Sequence, residues 1–293
     1  MPVGKTITAI MSYQQCSAIG IDTYGCLAVS DLFYSLSRDV ITRNPSAHYT
    51  NNEISLAEIY SEPDEQTIIN IAEHTQLLFV VADLAQAYPF GSLFTLFDIL
   101  KKVGGLTVAL VTSTNLFRDN LESYGVAGYE NNYGVITSII SGTTSSVQAK
   151  LSPPKHPERY GASRSLLGEC VQAIFEIVDD SGAINLDTCD LKGVMSLEGQ
   201  KWLSIGYGHG IDALSKAVKY ASSNPFLDSS SKKTKKAVVE IVGGSGLTLC
   251  EVNEALQTVR IRMEQGEEMR FGVAIRDNMR QRAKFIICAG DLN

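Results

Sequence analysis

Hydrophobic positions follow two rhythms along this chain. Residues 77–81 (Leu-Leu-Phe-Val-Val) and 106–112 (LTVALVT) are short unbroken apolar runs, the pattern of strands buried on both faces. Between them Leu93, Phe94, Leu96, Phe97 and Leu100 recur at helical spacing. Lys101 and Lys102 followed by Gly104 and Gly105 supply stop signals, so a helix is predicted over 93–102. An earlier helix is predicted over 66–74, with Ile68, Ile69 and Ile71 as its apolar contacts. Strand, helix and strand in this order predict a right-handed βαβ unit with the two strands adjacent and parallel.

The pattern then changes. Residues 142–163 (GTTSSVQAKLSPPKHPERYGAS) are rich in Ser, Thr, Pro and Gly, with little periodicity, and read as a long surface connection. A helix is predicted over 165–178, where Leu166, Leu167, Val171, Ile174, Ile177 and Val178 recur at three and four. It is apolar around much of its circumference and suited to lie between two domains. The last hundred residues predict a helix over 211–222, a strand over 237–242, a helix over 249–256, and strands over 270–275 and 283–289 joined by a polar turn at Asp277 and Asn278. That is an α+β domain around a mixed sheet. The lysines at 232, 233, 235 and 236 read as a solvated loop.

Length and composition narrow the classes. At 293 residues, 44% hydrophobic and 19% charged, the chain is a globular protein with core for two domains, not a disordered tail or a disulfide-stapled miniprotein. No apolar run approaches the roughly 20 residues that span a bilayer. The opening MPVGKTITAIMSY lacks the features of a secretory signal, so the expected setting is the cytoplasm. A net charge of −7 argues against a nucleic-acid partner. Cys16, Cys26, Cys170, Cys189, Cys250 and Cys288 form no CxxC pair, and the four histidines form no HxxxH pattern. Neither a metal site nor disulfides are expected, and most of the cysteines read as small apolar core residues.

Several longer segments resemble the bacterial tubulin-like division GTPase FtsZ. They are GAINLDTCDLKGVM (182–195), SIGYGHGIDALSKAV (204–218), SSNPFLD (222–228), GGSGLTLCEVNEAL (243–256) and RFGVAIRDNMRQRAKFIICAG (270–290). The resemblance covers most of the chain. It implies a tubulin-superfamily α/β fold: a Rossmann-like parallel-sheet GTPase-type domain over 1–161, a central helix over 162–179, and a C-terminal α+β domain with a mixed sheet over 180–293.

The resemblance also implies where a nucleotide would bind, and the matching residues depart from the pattern. The family grips phosphates with a loop reading GGGTGTG between a strand and a helix, where backbone N–H groups approach phosphate oxygens closely. Here the matching loop reads Ala85–Gln86–Ala87–Tyr88–Pro89–Phe90–Gly91. Only Gly91 remains, Pro89 has no N–H to donate, and Tyr88 and Phe90 add bulk. For the family's first strand and its second Gly-rich turn, two readings stay open. Either both are absent, or 6–11 is that strand and MSYQQC has replaced the glycines. The family's Glu and Arg contacts match Arg118 and Asn120, Arg164 occupies the guanine-reading position, and Tyr160 stands where an aromatic ring flanks the base. Gly91 and Tyr160 are thus the remnants of a nucleotide site, and no cofactor is expected.

The opposite catalytic element is intact. In the family a G-x-x-N-x-D-x-x-D loop from the next subunit drives hydrolysis, and Gly182, Asn185, Asp187 and Asp190 keep that spacing. Asn185, Asp187 and Asp190 are the candidate catalytic residues, positioning water against a neighbour's nucleotide. The competing reading is architectural: Gly182 ends the central helix, and Asn185 or Asp187 caps the helix that Leu191 begins. The function implied is an FtsZ-like cytoskeletal, cell-division subunit without its own GTP hydrolysis, a pseudo-GTPase that joins, caps or modulates filaments of an active relative. Its partner would be an active FtsZ-like subunit or its own copies, head to tail. One alternative is a divergent but functional GTP-binding, polymerising GTPase, with GTP as its ligand; another is a repurposed scaffold for some other ligand or protein. Since Asn293 follows the last predicted strand directly, without the family's linker and terminal peptide, any membrane association is expected through a partner.

Overall fold

The structure is a computed structural model that describes residues 8–13, 16–21, 29, 54–59, 65–83, 99, 106–112, 135–140, 143–151, 162–178, 182–195, 201–222, 234–261 and 263–290. The chain divides into two compact units, Met1–Ser146 with His156–Gln172, and Val147–Lys155 with Ala173–Asn293.

The described strands of the first unit are β1 (Thr8–Tyr13), β2 (Cys16–Ile21), β3 (Ile54–Ile59), β4 (Leu77–Asp83), β5 (Leu106–Thr112) and β6 (Val135–Ile140), and a helix, α1 (Glu65–Glu73), precedes β4. Their order across the sheet is β6-β5-β4-β2-β1-β3. The apolar runs become the parallel heart of this sheet, as their composition predicts. Leu77 pairs with Leu106 and Asp83 with Thr112, and Leu77 through Val81 are buried. Burial on both faces removes the solvated side that would otherwise impose alternation. Ile68 and Ala72 are the buried positions of α1. At the end of that helix the Thr75 hydroxyl donates to Ile71 O at 2.6 Å and lies 2.9 Å from the Ser17 hydroxyl at the start of β2.

Both readings of the N-terminal strand need correction. The parallel neighbour of β4 is neither absent nor residues 6–11; it is β2, with Cys16 opposite Leu77 and Ile21 opposite Ala82. Strand β1 stands one place further out, antiparallel to β2, with only Gln14 and Gln15 between them. MSYQQC thus covers the end of β1 and the first residue of β2, and the sequence after the inner strand reads Asp22–Thr23–Tyr24–Gly25–Cys26. Alternation in TAIMSY and CSAIGI was too weak in the sequence to tell an outer strand from an inner one.

The second unit holds β7 (Thr143–Leu151) from Val147 onward, β8 (Lys201–His209), β9 (Thr234–Gly243), β10 (Met263–Ile275) and β11 (Arg282–Gly290), in the order β10-β9-β11-β8-β7. β10 runs parallel to β9 and β7 parallel to β8, while β11 is antiparallel to both of its neighbours. The mixed sheet expected for this region is present. Residues 143–151 are not part of a loop, however: Val147–Leu151 pair with Lys201–Ile205. Serine and threonine in TTSSVQAKL resemble loop composition, but threonine and valine also suit a pleated strand, and the first proline comes only at Pro153. Likewise Lys235 and Lys236 are half-buried strand residues of β9, not loop; Lys232 and Lys233 lie outside the described residues.

The helices of this part of the chain are α2 (Ala162–Val178), α3 (Thr188–Met195), α4 (Ala213–Ser222) and α5 (Leu249–Arg260). Cys170, Val171, Ala173, Ile174, Phe175, Glu176 and Ile177 are all buried, which matches an apolar pattern around most of α2. One face of the C-terminal sheet (Ala237, Val239, Ile241, Ala283, Phe285, Ile287) forms a core with Leu214, Ala217, Val218 and Ala221 of α4 and Val252, Ala255, Leu256 and Val259 of α5. Helix α4 reaches strand β8 only because glycine stands beneath it. A Cβ on Gly206 would collide with Ala217 O, and one on Gly208 with Ala213 O. The start of α5 carries a full capping box, Thr248 accepting from the Glu251 amide and Glu251 accepting from the Thr248 amide.

Candidate functional site

The segment 182–190 is built against β10, the strand that ends the C-terminal sheet. The amides of Ala183 and Ile184 donate to Val273 O at 2.7 and 3.2 Å, and the Val273 amide donates to Ile184 O at 2.8 Å. Two glycines allow that approach. A Cβ on Gly182 would stand 2.7 Å from Asn185 Oδ1 and 2.9 Å from Val273 O, and one on Gly272 would collide with the buried Glu240 carboxylate. Gly182 is thus kept small by close backbone contact, while α2 itself ends four residues earlier, at Val178. Leu186 is buried, so the loop is fastened by a backbone bridge and one apolar side chain.

Helix α3 then begins at Thr188, three residues before the predicted start. Asp187 is its N-cap. The Asp190 amide donates to Asp187 Oδ1 at 2.8 Å, and the Asp187 amide donates to Asp190 Oδ2 at 3.1 Å. This is a reciprocal capping box made by two aspartates, satisfying two of the amides that a helix start leaves open. Negative charge here also faces the positive end of the helix dipole. Leu191, Val194 and Met195 anchor the helix in the core.

One carboxylate oxygen of each aspartate is thereby engaged. Asp190 Oδ1 faces Arg270 Nε of β10 at 3.9 Å, and the same Nε donates to Glu268 at 2.8 Å, with Lys236 3.6 Å from the other Glu268 oxygen. Glu268 stands opposite Lys236 in the β9–β10 register, with Arg270 two residues further along β10, so the ladder follows from that register. Arg270 holds the Glu268 carboxyl below its ordinary value, first by hydrogen bond and then by charge; Glu268 in turn raises Arg270, helped by Asp190 and Asp187. Asp187 and Asn185 are exposed. The arrangement therefore leaves the exposed Asp187 carboxylate able to accept hydrogen bonds from a water or donor that arrives from solvent, while Asp190 is half-buried.

Gly91, Tyr160, Arg118, Asn120 and the segment 85–91 lie outside the described residues, as does the helix expected over 93–102 apart from Ile99, which is helical and buried. Arg164 falls within α2. Of the described cysteines, Cys16, Cys170 and Cys288 are buried, and Cys189 and Cys250 are exposed. Arg270 and Glu268 were missed by sequence reasoning, since their place beside Asp190 depends on which strand the loop rests against.

Residues 199–293 match the FtsZ family, C-terminal domain. The fold is similar to that of solved FtsZ chains. A single-substitution mutant of FtsZ from M. jannaschii aligns with a TM-score of 0.58 at 22% identity, over 78% of this chain and 69% of that one. An empty FtsZ dimer from M. jannaschii aligns with a TM-score of 0.58 at 21% identity, over 77% of this chain and 66% of the other. The chain thus spans about two thirds of the length of these structures. Among the described residues no helix is long and apolar enough to cross a membrane.

Proposed function

We propose that this chain is a divergent member of the tubulin/FtsZ superfamily, a cytoplasmic cytoskeletal subunit without GTP hydrolysis of its own, which joins, caps or modulates filaments of an active relative. The observation that carries this reading is the ordered acidic turn at 182–190, fastened to β10 by three backbone hydrogen bonds, in a chain whose phosphate-loop segment has kept one glycine. Asn185, Asp187 and Asp190 would meet the nucleotide of an active subunit placed head to tail against this one. There the outward carboxylate oxygens would orient the attacking water, and the capping box would hold them still during the approach. Gly91 and Tyr160 would contribute too little to retain GTP, so self-assembly is expected to be weak or independent of nucleotide. One of the neighbouring folds is a dimer, which supports contact between like chains as the partner class.

A functioning GTP-binding polymer protein with a divergent pocket is the second reading. It is favoured by one observation: β2, β4 and β5 form three adjacent parallel strands, so the sheet frame whose C-terminal strand ends hold ligands in α/β folds is complete.

The deciding experiment pairs equilibrium binding of fluorescent GTP with sedimentation, alone and with an active division protein from the same cell. The first reading expects no GTP binding at micromolar concentration and shorter filaments of the partner at substoichiometric ratio. Micromolar GTP affinity promotes the second reading. Unchanged filament length and GTP turnover at equimolar ratio remove the capping role and leave 182–190 as helix-capping architecture.

A further inference from the structure

Strand β11, RAKFIICAG, carries a lysine near the start of its apolar run, between Ala283 and Phe285, and the acidic partner it needs comes from another element. Lys284 is 4% exposed and Glu176, on the last turn of α2, is 7% exposed. Their side chains meet at 2.6 Å, Lys284 Nζ donating to Glu176 Oε2. Arg276, which follows β10, places a guanidinium nitrogen 3.9 Å from the other Glu176 oxygen. Tyr207, directly opposite Lys284 on β8, holds its ring 5.5 Å from Nζ. These residues lie on the sheet face away from the α4–α5 core.

We infer that Glu176 and Lys284 are positioning residues, fixing the axial and rotational setting of the end of α2 on the C-terminal sheet and so the setting of the 182–190 turn that begins four residues later. A buried ion pair is weak as a source of stability, because desolvating both ions opposes their attraction. It is strong as a source of register, because only one placement of the helix leaves neither charge unpaired. An apolar pair of the same volume tolerates small slides and rotations. Glu176 sits midway between two demands: Lys284 on β11 beneath it, and Arg276 at the end of the strand to which Ala183 and Ile184 are bonded. The helix end and the turn are thus referred to the same sheet by two independent fastenings. That the turn meets a neighbour rests on the reading above; that the ion pair sets its position does not.

Glu176→Leu, Lys284→Met and the double variant test this by urea unfolding and by amide hydrogen exchange. Glu176→Leu takes the carboxylate from buried Lys284, and Lys284→Met leaves buried Glu176 with only the longer approach of Arg276 to offset the lost ammonium; each is expected to lower the urea midpoint by about 1–2 M. The double variant is expected to recover the wild-type midpoint or exceed it. In that stable double variant, the amides of Ala183 and Ile184 should exchange at least about tenfold faster than in wild type, while Val239 and Phe285 in the central strands are unchanged. Unchanged exchange at Ala183 and Ile184 in the double variant overturns the inference, as does a double variant no more stable than the singles. Because these readouts need neither nucleotide nor partner, a failed filament assay with the expected exchange result would count against the proposed function alone.

Discussion

The two regions of the chain that resemble functional loops in one family use glycine differently. In the C-terminal unit each critical glycine has a backbone pressed against it: Gly206 and Gly208 beneath α4, Gly244 against Arg280 O, and Gly182 against Asn185 and Val273. In the segment after β4, six of the seven residues at 85–91 carry side chains, one of them a proline. A bound phosphate excludes a Cβ as firmly as a packed helix does, since backbone N–H groups must reach its oxygens. The contrast teaches that close-approach constraints persist where the partner is the protein's own backbone; on the proposed reading they have lapsed where the partner would be a nucleotide.

The comparison breaks most decisively at nucleotide affinity. Charge-assisted hydrogen bonds contribute roughly 1.5–3 kcal/mol each, so losing three weakens GTP binding by at least about a thousandfold. Calorimetry should therefore detect no binding at micromolar GTP, and a micromolar constant would show that the segment after β4 still serves a ligand.

Packing glycines come next. Gly208→Val should destabilise the C-terminal unit by about 3 kcal/mol or more, because α4 has no room to retreat from its core. The same measurement on Ala87→Val, in the sequence segment 85–91, should change the stability by less than about 0.5 kcal/mol. Equal effects at both positions would erase the distinction between the regions.

Smaller changes divide capping from chemistry at 187–190. Asp187→Ala should lose about 1 kcal/mol with its cap, whereas Asp187→Asn keeps a capping oxygen and should lose little. If the turn acts on a partner's nucleotide, Asp187→Asn should nevertheless lower that partner's stimulated GTP turnover. Loss of turnover that tracks stability across the two variants would assign the residue to capping alone.

The least effect is expected at the exposed ladder. Arg270 lowers the Glu268 pKa, so the pair's contribution is present above the usual glutamate value of about 4.3 and is lost as pH falls through the lowered folded value. Arg270→Ala should shift the urea midpoint slightly at pH 7, and the difference from wild type should vanish at low pH and at high salt. A difference that grows on acidification would contradict this sign.

Much of this molecule follows from local rules that the chain carries on its face. The unbroken apolar runs at 77–81 and 106–112 pair as parallel strands, and at 77–81 and 106–108 they are buried, so no solvated face is there to impose alternation. Asp187 three residues before Asp190, ahead of Leu191 and Val194, is a helix start for reasons contained within one turn. Position in the sheet is another matter. Whether residues 8–13 or 16–21 stand beside β4, and whether TTSSVQAKL is a loop or a strand, depended on the neighbours offering free backbone groups. The pairing of Lys284 with Glu176, 108 residues earlier, and of Arg270 with Asp190 was decided there too. Charge partners across elements are chosen by register and burial, and those exist only once the sheet has formed.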